Sequence, residues 1–219
     1  KSKIEIEVFI HGAMCVSLSG RCFMSHHLFG KSANRGECLQ PCRRQYLVKD
    51  AEEPNSLVLG QDYVMSPKDL CTINFIDKII ETGVDSFKIE GRKRSPEYVY
   101  TVVSVYRKAI DLYFKKKLDA KMKDKLFSEL EKVYNRGFSS GFYFARPSGN
   151  DFVNVHGSKA TERKVYVGDI LKFYSKIKVA VVKLNSSELK LGDEIFIQGK
   201  TTGVFKQKLE SMEVDNKRI

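Results

Sequence analysis

Five cysteines stand within the first 71 residues of this 219-residue chain, spaced Cys15-x6-Cys22-x15-Cys38-x3-Cys42, with Cys71 further on. Thiols in such a pattern can bind metal, supply a nucleophile, form disulfides or simply pack. An odd count leaves one thiol outside any complete disulfide set, and in a reducing cytosol clustered thiols more often bind metal or do redox work. Zinc sites pair their ligands in tight knuckles; only Cys38 and Cys42 approach that spacing, and no second knuckle faces them. The wider gaps suit an iron–sulfur cluster, which needs four soft ligands and accepts long intervals between them. Two other readings stay open here: buried structural thiols, and a nucleophilic Cys15 with His11 as its base.

Charged residues add a second layer. In SFKIEGRKR, Lys88, Glu90 and Arg92 alternate and so project to one side of a strand, with Phe87 and Ile89 on the other. Parallel strands are normally apolar on both faces. A charged face there predicts a substrate site in which Lys88 and Arg92 grip a carboxylate or phosphate; the plainer reading is a structural ion pair. His11 closes the first strand on the face of Glu5 and Glu7. If that face points inward, His11 and Glu7 are candidates for proton transfer, and otherwise His11 is satisfied by a neighbouring carboxylate. The loop KSANRGECLQPCRRQY sets Lys31, Arg35, Arg43 and Arg44 around two cysteines, a basic surface for RNA phosphates or the carboxylates of a small acid. The lysines at 115–117, 121, 123 and 125 read as a solvated helix end and face.

These residues need elements to position them. IEIEVFIH alternates over residues 4–11, with Ile4, Ile6, Val8 and Ile10 on one face. A second strand is predicted over residues 57–65. CTINFIDKIIETG then reads as a helix with Ile73, Ile76, Ile79 and Ile80 at helical spacing and Gly83 as its stop. VDSFKIE (84–90) is a third strand. Ser95-Pro96-Glu97 opens a long helix, a lysine-rich amphipathic helix follows over residues 121–134, and NRGFSSGFYFARPSGND reads as loop.

Alternating strands and helices predict an α/β fold with a parallel sheet, whose C-terminal edge can gather Cys15, Cys22, Cys38 and Cys71. Three βα units cannot close an eight-stranded barrel. Either the sheet is open or this is the C-terminal part of a TIM-barrel-like domain over residues 1–150 whose N-terminal half is absent. The domain boundary is expected between Pro147 and Gly157. From Arg163 the pattern turns to strands, with turns at Asn185-Ser186 and Gly199-Lys200, and predicts a small all-β barrel over residues 151–219.

Composition narrows the class. The net charge of +11 predicts a polyanionic partner, nucleic acid ahead of a membrane surface. No apolar run reaches a membrane span, and no signal peptide is visible, so a cytoplasmic protein is expected. The chain opens on a strand pattern without an initiator Met, which predicts a fragment. There is neither a nucleophile elbow nor an HExxH motif.

EVFIHGAMCVSLSGRCFMS, GKSANRGECLQPCRRQY, MSPKDLC and GVDSFKIEGRKRSPEYV, in that order, closely resemble the collagenase-like peptidase family, the unassigned peptidases of family 32. The likeness runs from about Glu5 to Tyr106, and the tail from Arg163 looks like the small β-barrel appended to many members. The resemblance implies a barrel-like N-terminal half missing here. It implies oxygen-independent hydroxylation of transfer RNA wobble uridine, of ribosomal RNA or of a quinone precursor, with prephenate as hydroxyl source in the tRNA branch. It also implies a four-iron–four-sulfur cluster, held by position on Cys15, Cys22, Cys38 and Cys71, with Cys42 left over as a substitute or a non-ligand. Three functions follow as expectations: an iron–sulfur tRNA hydroxylation protein, a protease as the family name says, and a non-enzymatic RNA-binding module.

Overall fold

The structure, a computed structural model, describes residues 4–44, 46–49, 52, 56–58, 65–153, 157–215 and 217–218. The chain divides into two compact units, Lys1–Thr161 and Glu162–Ile219. In the first, the elements run β1 (Glu7–Gly12), α1 (Met24–Phe29), β2 (Leu47–Lys49), β3 (Ser56–Val58), β4 (Asp69–Cys71), α2 (Ile76–Glu81), β5 (Ser86–Ile89), α3 (Pro96–Phe114), α4 (Ala120–Glu131) and β6 (Phe138–Ser139).

A four-stranded sheet in the order β5-β1-β4-β6 carries this unit. β5 lies parallel to β1 and β6 parallel to β4, but β4 runs antiparallel to β1 with His11 opposite Cys71. The expectation of an all-parallel sheet is corrected here. A parallel return needs a crossover of a dozen or more residues, usually a helix. Between β1 and β4 the described chain holds the six-residue α1, the 3-10 turns Ala33–Arg35 and Pro41–Arg43 and the hairpin of β2 with β3, and no long crossover helix that would force that direction. The sheet is open, with no closed barrel among the described residues.

Two element boundaries also move. β3 covers only the start of the strand predicted over 57–65, and residues 59–64 lie outside the described residues. Cys71 ends a strand instead of opening a helix, and a 3-10 turn (Ile73–Phe75) intervenes before α2. The region predicted as loop after residue 134 contributes β6.

The core fills the space between sheet and helices. Tyr98, Val102, Val105, Tyr106 and Ala109 recur at helical spacing along α3 and are buried with Ile10, Ile73, Ile76, Ile79, Leu126 and Leu130. Asp119 caps α4 by accepting the Met122 N–H at 2.7 Å. Lys123 pins that helix to α2 through Asp77 at 2.7 Å.

The second unit is three separate antiparallel hairpins: β7 (Gly168–Tyr174) with β8 (Val179–Leu184), β9 (Glu194–Gly199) with β10 (Gly203–Lys208), and β11 (Glu213–Val214) with β12 (Lys217–Arg218). A barrel requires one continuous, closed ladder. No ladder joins these hairpins among the described residues, so the expected small barrel is replaced by hairpins. The Gly199-Lys200 turn does close β9 onto β10.

Gly12 marks the tightest approach in the sheet. Its φ is +120°, and a Cβ there would stand 2.5 Å from the Glu90 carbonyl oxygen. Gly12→Ala is expected to destabilise the chain by about 3 kcal/mol. Gly30→Ala, at φ +66° with nothing near the added carbon, should cost only about 1 kcal/mol. Urea unfolding of both variants measures the difference.

Candidate functional site

The loop that leaves β1 carries the thiols, and hydrogen bonds fold it back on itself. Arg43, in the 3-10 turn Pro41–Arg43, donates to the Met14 carbonyl at 2.6 Å, to Ser66 Oγ at 2.8 Å and to the Pro67 carbonyl at 2.5 Å. The neighbour of Cys42 is thereby bonded to the neighbour of Cys15. Leu39, next to Cys38, donates its N–H to the buried Ser25 Oγ at 3.0 Å, in the helix that begins two residues after Cys22.

All five thiols are free. Cys15 Sγ accepts the Ser17 N–H at 3.4 Å, and Cys38 Sγ accepts the Gln40 N–H at 3.3 Å. Burial pushes the Cys42 thiol up; Arg43 opposes this, while the charges that Cys15, Cys38 and Cys22 can carry push it further. Cys42 therefore belongs to the neighbourhood of the other three loop thiols. Among the described residues, no group of three or more His, Cys, Asp or Glu side chains stands ready to hold a metal ion.

Cys71 belongs elsewhere. It is 7% exposed, and its Sγ lies 3.8 Å from the Tyr106 hydroxyl. Burial raises its pKa to about 11. The Tyr106 hydroxyl donates to the Ile10 carbonyl at 3.0 Å and accepts the Thr72 N–H at 3.0 Å. Its single proton is thus committed, so His11 Nδ1, 3.3 Å away, is the donor in the His11–Tyr106 bond.

His11 is 1% exposed, among Tyr98, Tyr106 and Phe138. A register shift in the β1–β5 ladder between Phe9 and His11 turns His11 inward beside Ile10, while Phe9 stays outside. Glu7 remains exposed and accepts a hydrogen bond from Ser86 Oγ at 3.0 Å. The expectation that Glu7 and His11 share a face is therefore corrected. No hydrogen bond joins His11 to Cys15 among the described residues.

The charged strand is also placed differently from a buried ion pair. Lys88 and Arg92 are exposed, and with Glu90, Ile89, Gly91 and Val99 they line an open depression of about 460 Å³. Neither Lys88 nor Arg92 forms an ion pair with Glu90 among the described residues; Glu90 Oε1 instead accepts the Arg92 backbone N–H at 3.1 Å. The four loop cations serve separate ends. Lys31 pairs with Glu37 at 3.6 Å, Arg35 is exposed, Arg43 is spent on the loop ties, and Arg44 lies 4.8 Å over the Phe29 ring.

Sequence reasoning missed one hub. Asp69, 1% exposed, faces Arg94 Nη2 at 3.5 Å and Arg136 Nη1 at 3.8 Å, and it accepts the Arg136 backbone N–H at 3.2 Å. Burial raises its pKa, while Arg94, Arg136 and Arg43 oppose the rise. The only signal was a lone carboxylate entering the strand before Cys71.

The sequence profile of peptidase family U32 matches residues 1–152. The chain belongs to peptidase family U32. A "Collagenase" from Porphyromonas gingivalis is 46% identical over 95% of this chain and 50% of its own length. "tRNA hydroxylation protein P1" of Bacillus subtilis is 38% identical over 97% of the chain and 51% of its own length. "tRNA hydroxylation protein P" of Escherichia coli is 28% identical over 76% and 46%. This U32 chain thus spans about half the length of the curated relatives it matches. No solved structure matches it.

The donor chemistry of the U32 loop suits a thiolate-held cluster at three positions. Cys15, Cys22 and Cys38 are exposed or half-buried, and two of them already receive a backbone N–H, a bond that tunes cluster sulfurs. For the fourth position the resemblance points to Cys71, which is buried on β4, while Cys42 lies on the same loop as the other three.

Thiol reactivity reads this arrangement directly. In metal-free, reduced protein, iodoacetamide should label Cys15 first and Cys71 last, because Cys15 is the exposed thiol whereas Cys71 is buried with its pKa raised to about 11; peptide mass spectrometry gives the order. His11 offers a second readout. Burial first, and Arg94 second, hold its pKa at about 3 against an ordinary 6.5. The unfolded chain therefore takes the proton first, and stability present in full above pH 6.5 is lost as pH falls toward 3. His11→Gln should flatten the stability–pH slope in that window, measured by urea unfolding.

Proposed function

We propose that this chain is the cluster-bearing part of an oxygen-independent tRNA hydroxylation protein that acts on wobble uridine with a prephenate-like donor in the cytoplasm. The observation that supports this reading best is the folding of the Cys15, Cys22, Cys38 and Cys42 segments onto one another through Arg43 and Ser25. It is joined by relatives named tRNA hydroxylation proteins. Cys15, Cys22 and Cys38 would hold a four-iron–four-sulfur cluster together with Cys71, the ligand implied by family position, or with Cys42 of the same loop as its substitute. Such a group would supply one-electron transfer at this site.

The chain's own residues bind and orient. The net charge of +11 draws in RNA through its phosphates. Exposed Lys88 and Arg92 offer charge-assisted donors to a phosphate or carboxylate at the mouth of β5. Buried, neutral His11 holds Tyr106 in place and has no route to an exposed thiol.

The protease reading keeps one observation of its own, the 46% identity to a protein named collagenase. Against it stands the absence, among the described residues, of any histidine hydrogen-bonded to a thiol or hydroxyl nucleophile other than the phenol of Tyr106.

The full-length protein, prepared anaerobically, is expected to be brown with about four irons per chain by the ligand count. Deletion of its gene should remove one hydroxylated nucleoside from bulk tRNA, read by nucleoside mass spectrometry. Cys15→Ser and Cys38→Ser should abolish iron binding. Iron-free, colourless protein after anaerobic reconstitution, or unchanged tRNA with loss of gelatin cleavage, would sink this reading.

A further inference from the structure

The Asp69 hub opens onto a second depression, of about 360 Å³, lined by Gln40, Lys93, Arg94, Ser95, Tyr134 and Arg136. Its lining carries three cations, Lys93, Arg94 and Arg136, and no carboxylate. Arg94 and Arg136 share one carboxylate, Asp69, and Arg43 sits in the same field. Lys93 adds a further cation at the rim. Glu97, in the first turn of α3, accepts the Ser95 hydroxyl. Surplus positive charge held at low exposure is costly unless an anion meets it.

The guanidinium groups are also held as a ligand would need them. Arg94 lies 4.2 Å from the Tyr134 ring centroid and 5.4 Å from that of Tyr98, and Arg136 lies 5.1 Å from Tyr134. Stacking fixes the planes and leaves N–H edges available. Arg94 spends only a long 3.5 Å hydrogen bond on Asp69. Arg136 Nη2 donates to Gln40 Oε1 at 3.1 Å, while its buried Nη1 stands 3.8 Å from Asp69 Oδ1 and neither atom has a hydrogen-bond partner among the described residues. Gln40 lies between Cys38 and Cys42, so the depression borders the thiol loop.

We propose that Lys93, Arg94 and Arg136 form a binding site for a carboxylate or phosphate oxyanion, distinct from the Lys88–Arg92 face and independent of any cluster. The oxyanion belongs either to a small acid or to the backbone of RNA, and the test separates these sources.

Metal-free chain is titrated with inorganic phosphate, with malonate and with a short single-stranded RNA at constant ionic strength, following thermal unfolding and fluorescence anisotropy. A saturable rise in midpoint is expected. Arg136→Gln should weaken binding by about tenfold, the loss of one charge-assisted contact, and the charge reversal Lys93→Glu by at least as much. Lys116→Glu, exposed just past the end of α3, should leave it unchanged. Circular dichroism checks folding; because Arg136→Gln leaves Asp69 with less compensation, the exposed Lys93→Glu carries the decision if Arg136→Gln unfolds. Loss confined to phosphate and malonate supports the site with a small acid as its ligand, and loss confined to RNA supports it with the backbone phosphate. If Lys93→Glu binds all three probes as the parent chain does, the site is overturned, whatever the iron content of the full-length protein.

Discussion

One phenolic hydroxyl sits at the junction on which the first unit depends. Tyr106 reaches from the middle of α3 to the Ile10 carbonyl in β1 and the Thr72 N–H just past β4, and it accepts a hydrogen bond from His11 Nδ1 as well. These backbone groups lie where two antiparallel strands meet the buried face of the longest helix. A buried polar network of this kind is stabilising only when every member is satisfied. Tyr106 meets that condition by spending its proton on one strand and its lone pairs on the other strand and on His11.

That junction sets the limits of the thiol loop. With β1 and β4 fixed side by side, the loop between them must return to within a strand spacing of its start, and Arg43 closes it by gripping Met14 on one side and Ser66 and Pro67 on the other. The same geometry separates the cysteines into two environments. Cys71, on the strand itself, is sealed against Tyr106, whereas Cys15, Cys22, Cys38 and Cys42 stay on the loop and within reach of solvent. Arg43 also joins the loop electrostatically to the Asp69 hub, so the thiols and the cationic depression share one field. Burial and the nearby Arg136 both lower the Arg43 pKa.

Much of the local architecture was legible. The isoleucine pattern of 73, 76, 79 and 80 and the Ser95-Pro96-Glu97 start announced α2 and α3, because amphipathic period and capping chemistry act within a few residues. The strand at Lys88 is legible from its alternating charges, and the hairpin strands past Gly168 from strand segments spaced between turns. Alternation misled at His11, where one irregularity in the ladder reverses the face of the last residues of β1. Asp69, Arg94 and Arg136 were invisible as a group, since each comes from a different segment and no short-range pattern links them.

By itself, then, the sequence determined the thiol inventory, the basic charge, the helices with their buried stripes, and membership of the U32 family over residues 1–152. Tertiary structure alone decided that β4 runs against β1, that His11 is buried, that Cys42 sits on the thiol loop while Cys71 is sealed in the core, and that two arginines converge on one carboxylate. The physical reason is range. Propensity, periodicity and capping are settled between near neighbours, whereas burial, strand direction and charge clustering are settled by which distant segments the closing chain brings into contact.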